Sequence, residues 1–556
     1  MNIKSIKNKI KKNSTRKLFN INKHKKFLDY NNLTLYQHKL YKNILKKFET
    51  KNNKTKNNKI QNNKIKSNKI QNNKIKSNIN IIDFFKINKK GLLVQLLELI
   101  YTLYNDNINN ILKNTLLNIK NSRTIETNKT KIHNILKPII EKHMLNSKYI
   151  DNNIIEYINT NLNNCKIIVY TNVIEDQEFI FKFVTYDNIN IKKLDNNVKN
   201  MLICLQVLIK ISGNKKIANK SSNICSSNGL EVNFFMTPFT KKLNLENNHE
   251  ILGAKNINSG FNYPCISDGL IIIYRKQEMF KVFIHESIHA YGIDGALHTN
   301  YDNNINYKNF INLFAINSNI KDFKSIGLQE SITEFWTFIL HIFNAAYNRT
   351  KNFKNLLNEF ERLYKLELIH SCYQIAKILY YNNLNYENFV NKNKEYNENN
   401  KYNERSHIFS YIIIKFLLVL NHEHLFDSNI FDLKNVRNPN NKYINIKMYS
   451  DEASINKFFI NLLNYATNKE TIEFLQNIEN YYIENLNNYK NKYKHKNKYK
   501  NKNKNKNKNK NNKLLELYER RNTTKANKIT KANKMTKKNN EYLFTNLNMM
   551  SIDYYI

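Results

Sequence analysis

This chain of 556 residues is poor in the residues that interrupt regular structure, with 9 Gly and 4 Pro, and it has one Trp. Its five cysteines are widely spaced, odd in number and without a CxxC pair, which argues against a disulfide framework. We interpret all five as small buried hydrophobic residues, and we expect a reducing compartment. The cysteines are Cys165, Cys204, Cys225, Cys265 and Cys372.

Long apolar runs are also missing. The longest ones, such as residues 411–420 and 335–340, are too short to cross a bilayer. The first residues are rich in Lys and Asn and contain no apolar core, so we expect no signal peptide. These absences predict an intracellular protein of the cytoplasm or of a virion, with no membrane span.

The net charge of +44 is concentrated at the two ends of the chain. Residues 1–80 contain 23 basic and 2 acidic residues, and residues 490–540 contain 20 basic and 2 acidic residues. Both segments are of low complexity, with a repeat of ten residues inside 51–78, and too polar to offset the entropy of ordering. Such tails favour non-specific contact with nucleic acid or an anionic surface. Expansion driven by A/T-rich codons, without any selected partner, explains them equally well.

The pattern of apolar residues predicts an α+β fold, in which a small sheet-plus-helix lobe is followed by a mostly helical lobe. Strands are predicted at 165–170, 179–184, 231–236 and 269–274, and a helix at 277–291 that ends at Gly292. The expected organisation has five parts. They are a disordered basic tail (1–80), a helical entry region (81–160), an α/β lobe (161–300), a helical lobe (301–489) and a basic tail (490–556).

The most informative segment is His285-Glu286-Ser287-Ile288-His289, which reads HExxH. On a helix, positions i and i+4 share a face, so both imidazoles can reach one metal ion. Glu286 can then act as a general base toward a metal-bound water. The apolar flanks predict burial, and a buried Glu beside two His needs a partner such as a metal. The alternative is an accidental pattern on a core helix.

A catalytic zinc site needs a third protein ligand. Glu330 and Glu334 stand one helical turn apart and carry the only charges of the apolar segment 328–340. We predict that Glu330 is the ligand and that Glu334 holds a ligand histidine through a hydrogen bond. The alternative is that both carboxylates pair with lysines.

A second arrangement of ligands remains open. HExxH followed by Gly292 begins like the metzincin pattern HExxHxxGxxH, but position 295, where the third histidine should stand, is Gly295. Asp294 and His298 lie nearby and out of register. Either of them is a rival to Glu330 as the third ligand.

The HExxH motif and the downstream ExxxE helix resemble the gluzincin branch of the zincin metallopeptidases. The biased composition is similar to that of uncharacterised metallopeptidases of large DNA viruses. The resemblance covers residues 165–345 and implies a zincin-like fold, with Zn²⁺ held by His285, His289 and Glu330 and with Glu286 as base. It also implies that strand 269–274 is the edge strand that pairs with an extended peptide or protein substrate.

The family also supplies a Tyr or His that stabilises the oxyanion. Among 35 tyrosines, Tyr411 is our first choice because it opens an apolar helix, and His407 is the second; a core aromatic is the alternative. The sequence thus predicts a zinc-dependent peptidase. A catalytically inactive zincin-fold module for binding or virion structure, and a nucleic-acid-associated protein acting through its tails, are the alternatives.

Overall fold

The structure of the protein is a computed structural model. It describes residues 41, 43–44, 87–111, 113–174, 177–212, 225–245, 250–350, 352–390, 401–433, 445–506 and 541–552, with the backbone alone for 492–506. Most of the predicted tail 1–80 and residues 507–540 of the predicted tail 490–556 lie outside the described residues.

Six strands form one mixed sheet in the order β1-β2-β3-β4-β6-β5. The strands are β1 Arg123–Glu126, β2 Lys166–Ile174, β3 Gln177–Thr185, β4 Gly229–Phe235, β5 Gly260–Asn262 and β6 Asp268–Ile273. Strands β3, β4 and β6 are parallel to one another, and the remaining neighbours are antiparallel. Together with the helices, this sheet confirms the predicted α+β fold.

The helices account for most of the described chain. They are α1 Leu92–Asp106, α2 Lys113–Leu117, α3 Lys129–Ile139, α4 Asn152–Thr160, α5 Ile191–Ile211, α6 Ala254–Ile257, α7 Met279–Ala290, α8 Ile305–Asn312, α9 Phe323–Ile326, α10 Gln329–Tyr347, α11 Phe353–Tyr381, α12 Tyr386–Val390, α13 Lys415–Leu420, α14 His422–Asp427, α15 Glu452–Thr467 and α16 Lys469–Lys506. Short π-helical turns occupy Asn107–Ile111, Ile140–Met144 and Phe409–Ile414. We call α7 the motif helix and α10 the ExxxE helix.

Both faces of the sheet are covered. Every second side chain of β3 points to one face of the sheet. These side chains, Phe179, Phe181 and Phe183, are fully buried in the main hydrophobic core. Val184 and Ile167 point to the other face, into a smaller cluster built with helices α3 and α4. This period of two is what a strand with two buried faces requires.

The two predicted lobes share one hydrophobic core. The main cluster joins residues of the sheet lobe, such as Phe283, to residues of the helical lobe, such as Phe335 and Leu368. The motif helix lies between the sheet and the ExxxE helix, in contact with β5 and β6 on one side and with α10 on the other. The boundary predicted at 300/301 therefore separates two layers of one packed body.

One predicted strand has a different place in the sheet. We expected 269–274 to be the edge strand, but β6 lies between β4 and β5, so β5 forms the edge beside the motif helix. The prediction was wrong because adjacency in sequence to the motif helix does not fix strand order. The three-residue strand β5 contains Gly and Asn, which give it no signal of β-propensity.

The predicted C-terminal tail also needs correction. Helix α16 continues to Lys506, and residues 541–552 pack into the core, with Leu543, Leu547 and Met550 almost fully buried. In the predicted N-terminal tail, Tyr41 is fully buried, and its hydroxyl lies 2.8 Å from His370 Nδ1. The Lys/Asn-rich composition concealed these short apolar segments.

Across the described ranges, no helix combines the length and the apolar character that a bilayer crossing demands.

Candidate metal centre

The motif helix places both histidines in the interior. Its residues 279–290 are all buried, and the side chains of His285 and His289 expose only a few per cent of their surface. The helix ends where Gly292 adopts a left-handed conformation with φ +62° and donates its N–H to the carbonyl of His289 over 2.9 Å. Glycine adopts this conformation without strain, and a helix that ends in this way requires a left-handed residue at that position.

Three potential ligand atoms converge on one point. His285 Nε2 and His289 Nε2 are 3.2 Å apart, and Glu330 Oε2 lies 3.1 Å from each of them. Tetrahedral zinc with bonds of about 2.0–2.1 Å separates its ligand atoms by about 3.3 Å. The three atoms therefore have the spacing of one face of a zinc tetrahedron, and the structure brings together the three residues predicted as ligands.

The other nitrogen of each imidazole faces a carboxylate. His285 Nδ1 lies 2.9 Å from Glu334 Oε1, and His289 Nδ1 lies 2.6 Å from Asp294 Oδ2. Carboxylates at these distances favour a proton on Nδ1 and a lone pair on each Nε2, and of the two pairs only His289–Asp294 has hydrogen-bond geometry. Two such lone pairs 3.2 Å apart repel each other unless a cation lies between them. The residues thus fit a metal ion.

The charges of the site support the same interpretation. Burial alone would raise the pKa of Glu330, but the neighbouring His289 and His285 outweigh it and hold that pKa well below its usual range. Burial would lower the pKa of His289, yet Asp294 and Glu330 raise it well above the ordinary value. The three converging groups therefore include an ionised Glu330 carboxylate and a His289 imidazole whose proton affinity is raised.

Glu286, the predicted general base, lies against the edge strand. A Cβ atom added to Gly260 of β5 would lie 3.1 Å from Glu286 Oε1, so the edge strand passes directly beside this carboxylate. Asn262 of the same strand donates its side-chain N–H to the Glu286 carbonyl over 2.9 Å. Burial raises the pKa of Glu286, which brings its basicity closer to that useful at neutral pH.

A cleft of about 30 Å³ adjoins the two motif residues His285 and Glu286 and is also lined by Tyr411 and Met549. The ring centroid of Tyr411 lies 5.8 Å from that of His285, and burial raises the Tyr411 pKa well above its ordinary value. Tyr411 therefore faces the site as a protonated hydroxyl.

His407, the second choice for the oxyanion role, does not line this cleft. Its Nδ1 donates to the Ser325 carbonyl over 3.1 Å, and its ring centroid lies 6.3 Å from that of Tyr411. His407 is therefore set back behind Tyr411.

Asp294 and His298 lie away from the converging ligand atoms. Asp294 binds the far nitrogen of His289, while His298 Nε2 lies 3.2 Å from the same Asp294 oxygen. The geometry thus gives Asp294 the role of orienting a ligand imidazole. Sequence reasoning had considered it only as a metal ligand.

Lys281 is a residue of the site that the sequence analysis missed. It lies one helical turn before His285, is buried, and forms an ion pair with Glu334. A lysine flanked by Phe280 and Val282 on a helix predicted to be buried was the available signal, because a buried ammonium needs a carboxylate.

The cysteine prediction was wrong for one pair. Cys225 and Cys265 form a disulfide, whereas Cys165, Cys204 and Cys372 are free and buried as expected. A Cβ atom on Gly292 would lie 3.0 Å from Cys225 Sγ, so the disulfide packs against the end of the motif helix. The sequence separation of 40 between the two cysteines gave no sign that they pair.

Comparison with known proteins adds no assignment, because no protein family, curated protein or solved structure matches this chain.

Proposed function

We propose that this chain is a zinc-dependent metallopeptidase that hydrolyses peptide bonds in peptide or protein substrates. The observation that carries the proposal is the convergence of His285 Nε2, His289 Nε2 and Glu330 Oε2, each within 3.2 Å of the others, beside the buried Glu286. A buried carboxylate that is not itself a ligand, next to such a ligand set, suits a general base.

The residues divide the chemistry among them. Zinc bound by this set would supply a Lewis acid that polarises the scissile carbonyl and acidifies water. Glu286 takes the proton of the attacking water and delivers it to the leaving amine. Tyr411, protonated at neutral pH, donates a hydrogen bond to the developing oxyanion of the substrate.

Strand β5 supports a peptide as the substrate. It is an edge of the sheet and lies against the motif helix, and its Gly260 brings the backbone close to Glu286. An extended peptide can add to such an edge through main-chain hydrogen bonds, which places one of its carbonyls near the ligand group.

A second candidate is a module that holds metal without hydrolysing peptides. The specific observation in its favour is the small cleft of about 30 Å³, partly lined by Met549 of the C-terminal segment. A substrate needs this cleft to widen, whereas a structural metal site does not. The two candidates agree on zinc and differ on hydrolysis.

The basic tails and the compartment remain predictions. Binding of nucleic acid or an anionic surface through residues 1–80 and 490–540 would show steep salt dependence and would be lost on removal of those segments. An intracellular, reducing compartment was expected from the sparse cysteines, but the Cys225–Cys265 disulfide weighs against it.

The decisive experiment compares wild type with Glu286→Gln on unfolded casein. We expect cleavage by wild type that a chelator abolishes and zinc restores, and a rate at least about 100-fold lower for Glu286→Gln at unchanged zinc content, because the base is lost and no ligand is. Glu156→Gln, a change on the exposed side of α4, is the matched control and should cleave like wild type.

Two outcomes would contradict the proposal. Wild type that holds zinc tightly and cleaves none of a varied substrate set would favour the metal-holding module. Equal cleavage by wild type and Glu286→Gln would assign the hydrolysis to a contaminant or another site.

A further inference from the structure

A second and larger cavity adjoins the metal cleft. Its volume is about 380 Å³, and Asn258 lines both spaces. The charged and titratable side chains around it are Lys148, Tyr149, Lys324, Arg405, His407 and Glu404. Its size is sufficient for an amino-acid side chain or a peptide terminus.

The charge of this cavity is of one sign. Lys148, Lys324 and Arg405 are exposed, and none of them forms an ion pair with any residue that the structure describes. By contrast, the cavity of about 750 Å³ elsewhere on the body contains both signs, with Lys242 and Arg275 alongside Glu250 and Asp151. Cations that have no carboxylate partner in a concave site raise the local concentration of anions.

The single carboxylate of the cavity does not neutralise these cations. Glu404 is buried, and its Oε2 accepts hydrogen bonds from the Tyr402 hydroxyl at 2.6 Å and from the Phe409 N–H at 2.9 Å. Burial raises the pKa of Glu404 to about 8, so this group is mostly uncharged at pH 7. The cavity therefore keeps its positive charge.

Several contacts connect the cavity to the edge strand and to the metal centre. Ser406 donates its hydroxyl to Asn258 Oδ1 over 2.7 Å, and Asn258 stands two residues before Gly260, where β5 begins. His407, on the cavity wall, lies beside Tyr411, which in turn faces His285. A peptide extended along β5 and past Asn258 would bring a side chain or a terminus to this wall.

We propose, on the basis of the proposed peptidase function, that this cavity is a substrate subsite that binds a carboxylate of the peptide. Arg405 is its principal contact, because a guanidinium offers two parallel N–H donors to a carboxylate. Lys324 and Lys148 contribute charge. The carboxylate comes either from an Asp or Glu side chain or from the C-terminus of the peptide.

The test uses the full-length, zinc-loaded protein and pairs of peptides. In one set a single Glu is moved along a neutral sequence and compared with Gln at each position; in the other, a free C-terminal acid is compared with its amide. We expect wild type to favour Glu at one position, or the free acid, by about tenfold to a hundredfold in kcat/KM, the range for a hydrogen bond between charged groups.

Charge reversal supplies the variants. Arg405→Glu combined with Lys324→Glu should remove or invert this preference, measured as the ratio of kcat/KM for the charged peptide to that for its neutral counterpart. Lys308→Glu reverses an exposed charge on α8, away from the cavity, and should keep the wild-type preference.

A binding measurement separates this inference from the peptidase proposal. Fluorescence anisotropy with the Glu286→Gln protein compares the Kd values of the labelled Glu and Gln peptides and of the acid and amide forms. Hydrolysis without discrimination in either assay would overturn the subsite and leave the peptidase proposal intact. Absence of hydrolysis would overturn the peptidase proposal, and equal Kd values would then overturn the subsite as well. Displacement by inorganic phosphate at lower concentration than by acetylated glutamate would assign the cavity to a phosphate group and overturn the carboxylate assignment.

Discussion

Each imidazole of the motif helix has a carboxylate beside its Nδ1, and the two carboxylates lie in different environments. On one side, Glu334 lies between His285 and Lys281, and all three side chains are buried. On the other side, Asp294 lies between His289 and His298, and the His298 side chain is 42% exposed.

The difference concerns what balances each carboxylate. Lys281 is a buried cation, and its ion pair with the Glu334 carboxylate offsets the cost of removing its charge from water. Loss of either partner would leave the other charge buried without that compensation. His298 can be replaced by water, which reaches its exposed ring. We therefore expect substitutions beside His285 to lower the stability of the fold more than substitutions beside His289, although both imidazoles are predicted ligands of the same metal.

The largest effect concerns zinc content, and it should be the same for His285 and for His289. His285→Ala and His289→Ala should each reduce the zinc content of purified protein from about one per chain to near zero, because two remaining ligands hold zinc weakly. Elemental analysis after dialysis against a weak chelator measures this. Glu330→Ala should behave in the same way.

A defined result would contradict this ligand set. Stoichiometric zinc in the double His285→Ala/His289→Ala variant would place the metal elsewhere. Full zinc in Glu330→Ala, together with loss of zinc in Asp294→Ala or His298→Ala, would favour the metzincin-like arrangement.

The next largest effect concerns the free energy of unfolding, which should differ between substitutions beside His285 and substitutions beside His289. Lys281→Met should lower the free energy of unfolding by about 3–5 kcal/mol, because it removes the ammonium that forms an ion pair with the buried Glu334. His298→Gln should change it by about 0.5 kcal/mol or less, as expected near the surface. Urea unfolding in the presence of a chelator compares the two without any contribution from metal binding.

A double variant serves as the control for Lys281→Met. Lys281→Met/Glu334→Gln removes both charges and should recover a large part of the lost stability. Equal destabilisation by Lys281→Met and His298→Gln would show that the two surroundings do not differ.

The smallest effect concerns zinc affinity. Glu334→Gln and Asp294→Asn each weaken the hold on an Nδ1 proton and should reduce zinc affinity about 10–100-fold while the metal still binds. Competition with a fluorescent chelator measures both. An unchanged affinity for Asp294→Asn would mean that the His289 imidazole is oriented by helix packing alone.

The geometry of the site was predictable where it depends on spacing within one helix. The i, i+4 spacing of His285 and His289 and the two charges of the otherwise apolar ExxxE helix were both visible in sequence. Burial was predictable from the apolar flanks. These local patterns predicted the residues that the structure now brings together.

The remainder depends on contacts between distant segments. Strand order made β5 the edge, and the turn after Gly292 brought Asp294 to the far nitrogen of His289. The Cys225–Cys265 disulfide likewise depends on the pairing of β4 with β6. No period of two or 3.6 residues encodes such neighbours, so pattern reasoning did not find them.

The buried segment 541–552 has a consequence for the synthesis of the chain. Glu367 accepts the backbone N–H of Ser551 and of Ile552, and Lys377 donates to the Asn546 carbonyl. The partners of Glu367 emerge up to 185 residues later. At about 5–20 residues per second, that interval is about 10–40 s on the ribosome. During it, Glu367 and Lys377 lack these partners, and a peptide that mimics 541–552, supplied during translation, should compete for the same contacts and lower the yield of folded protein.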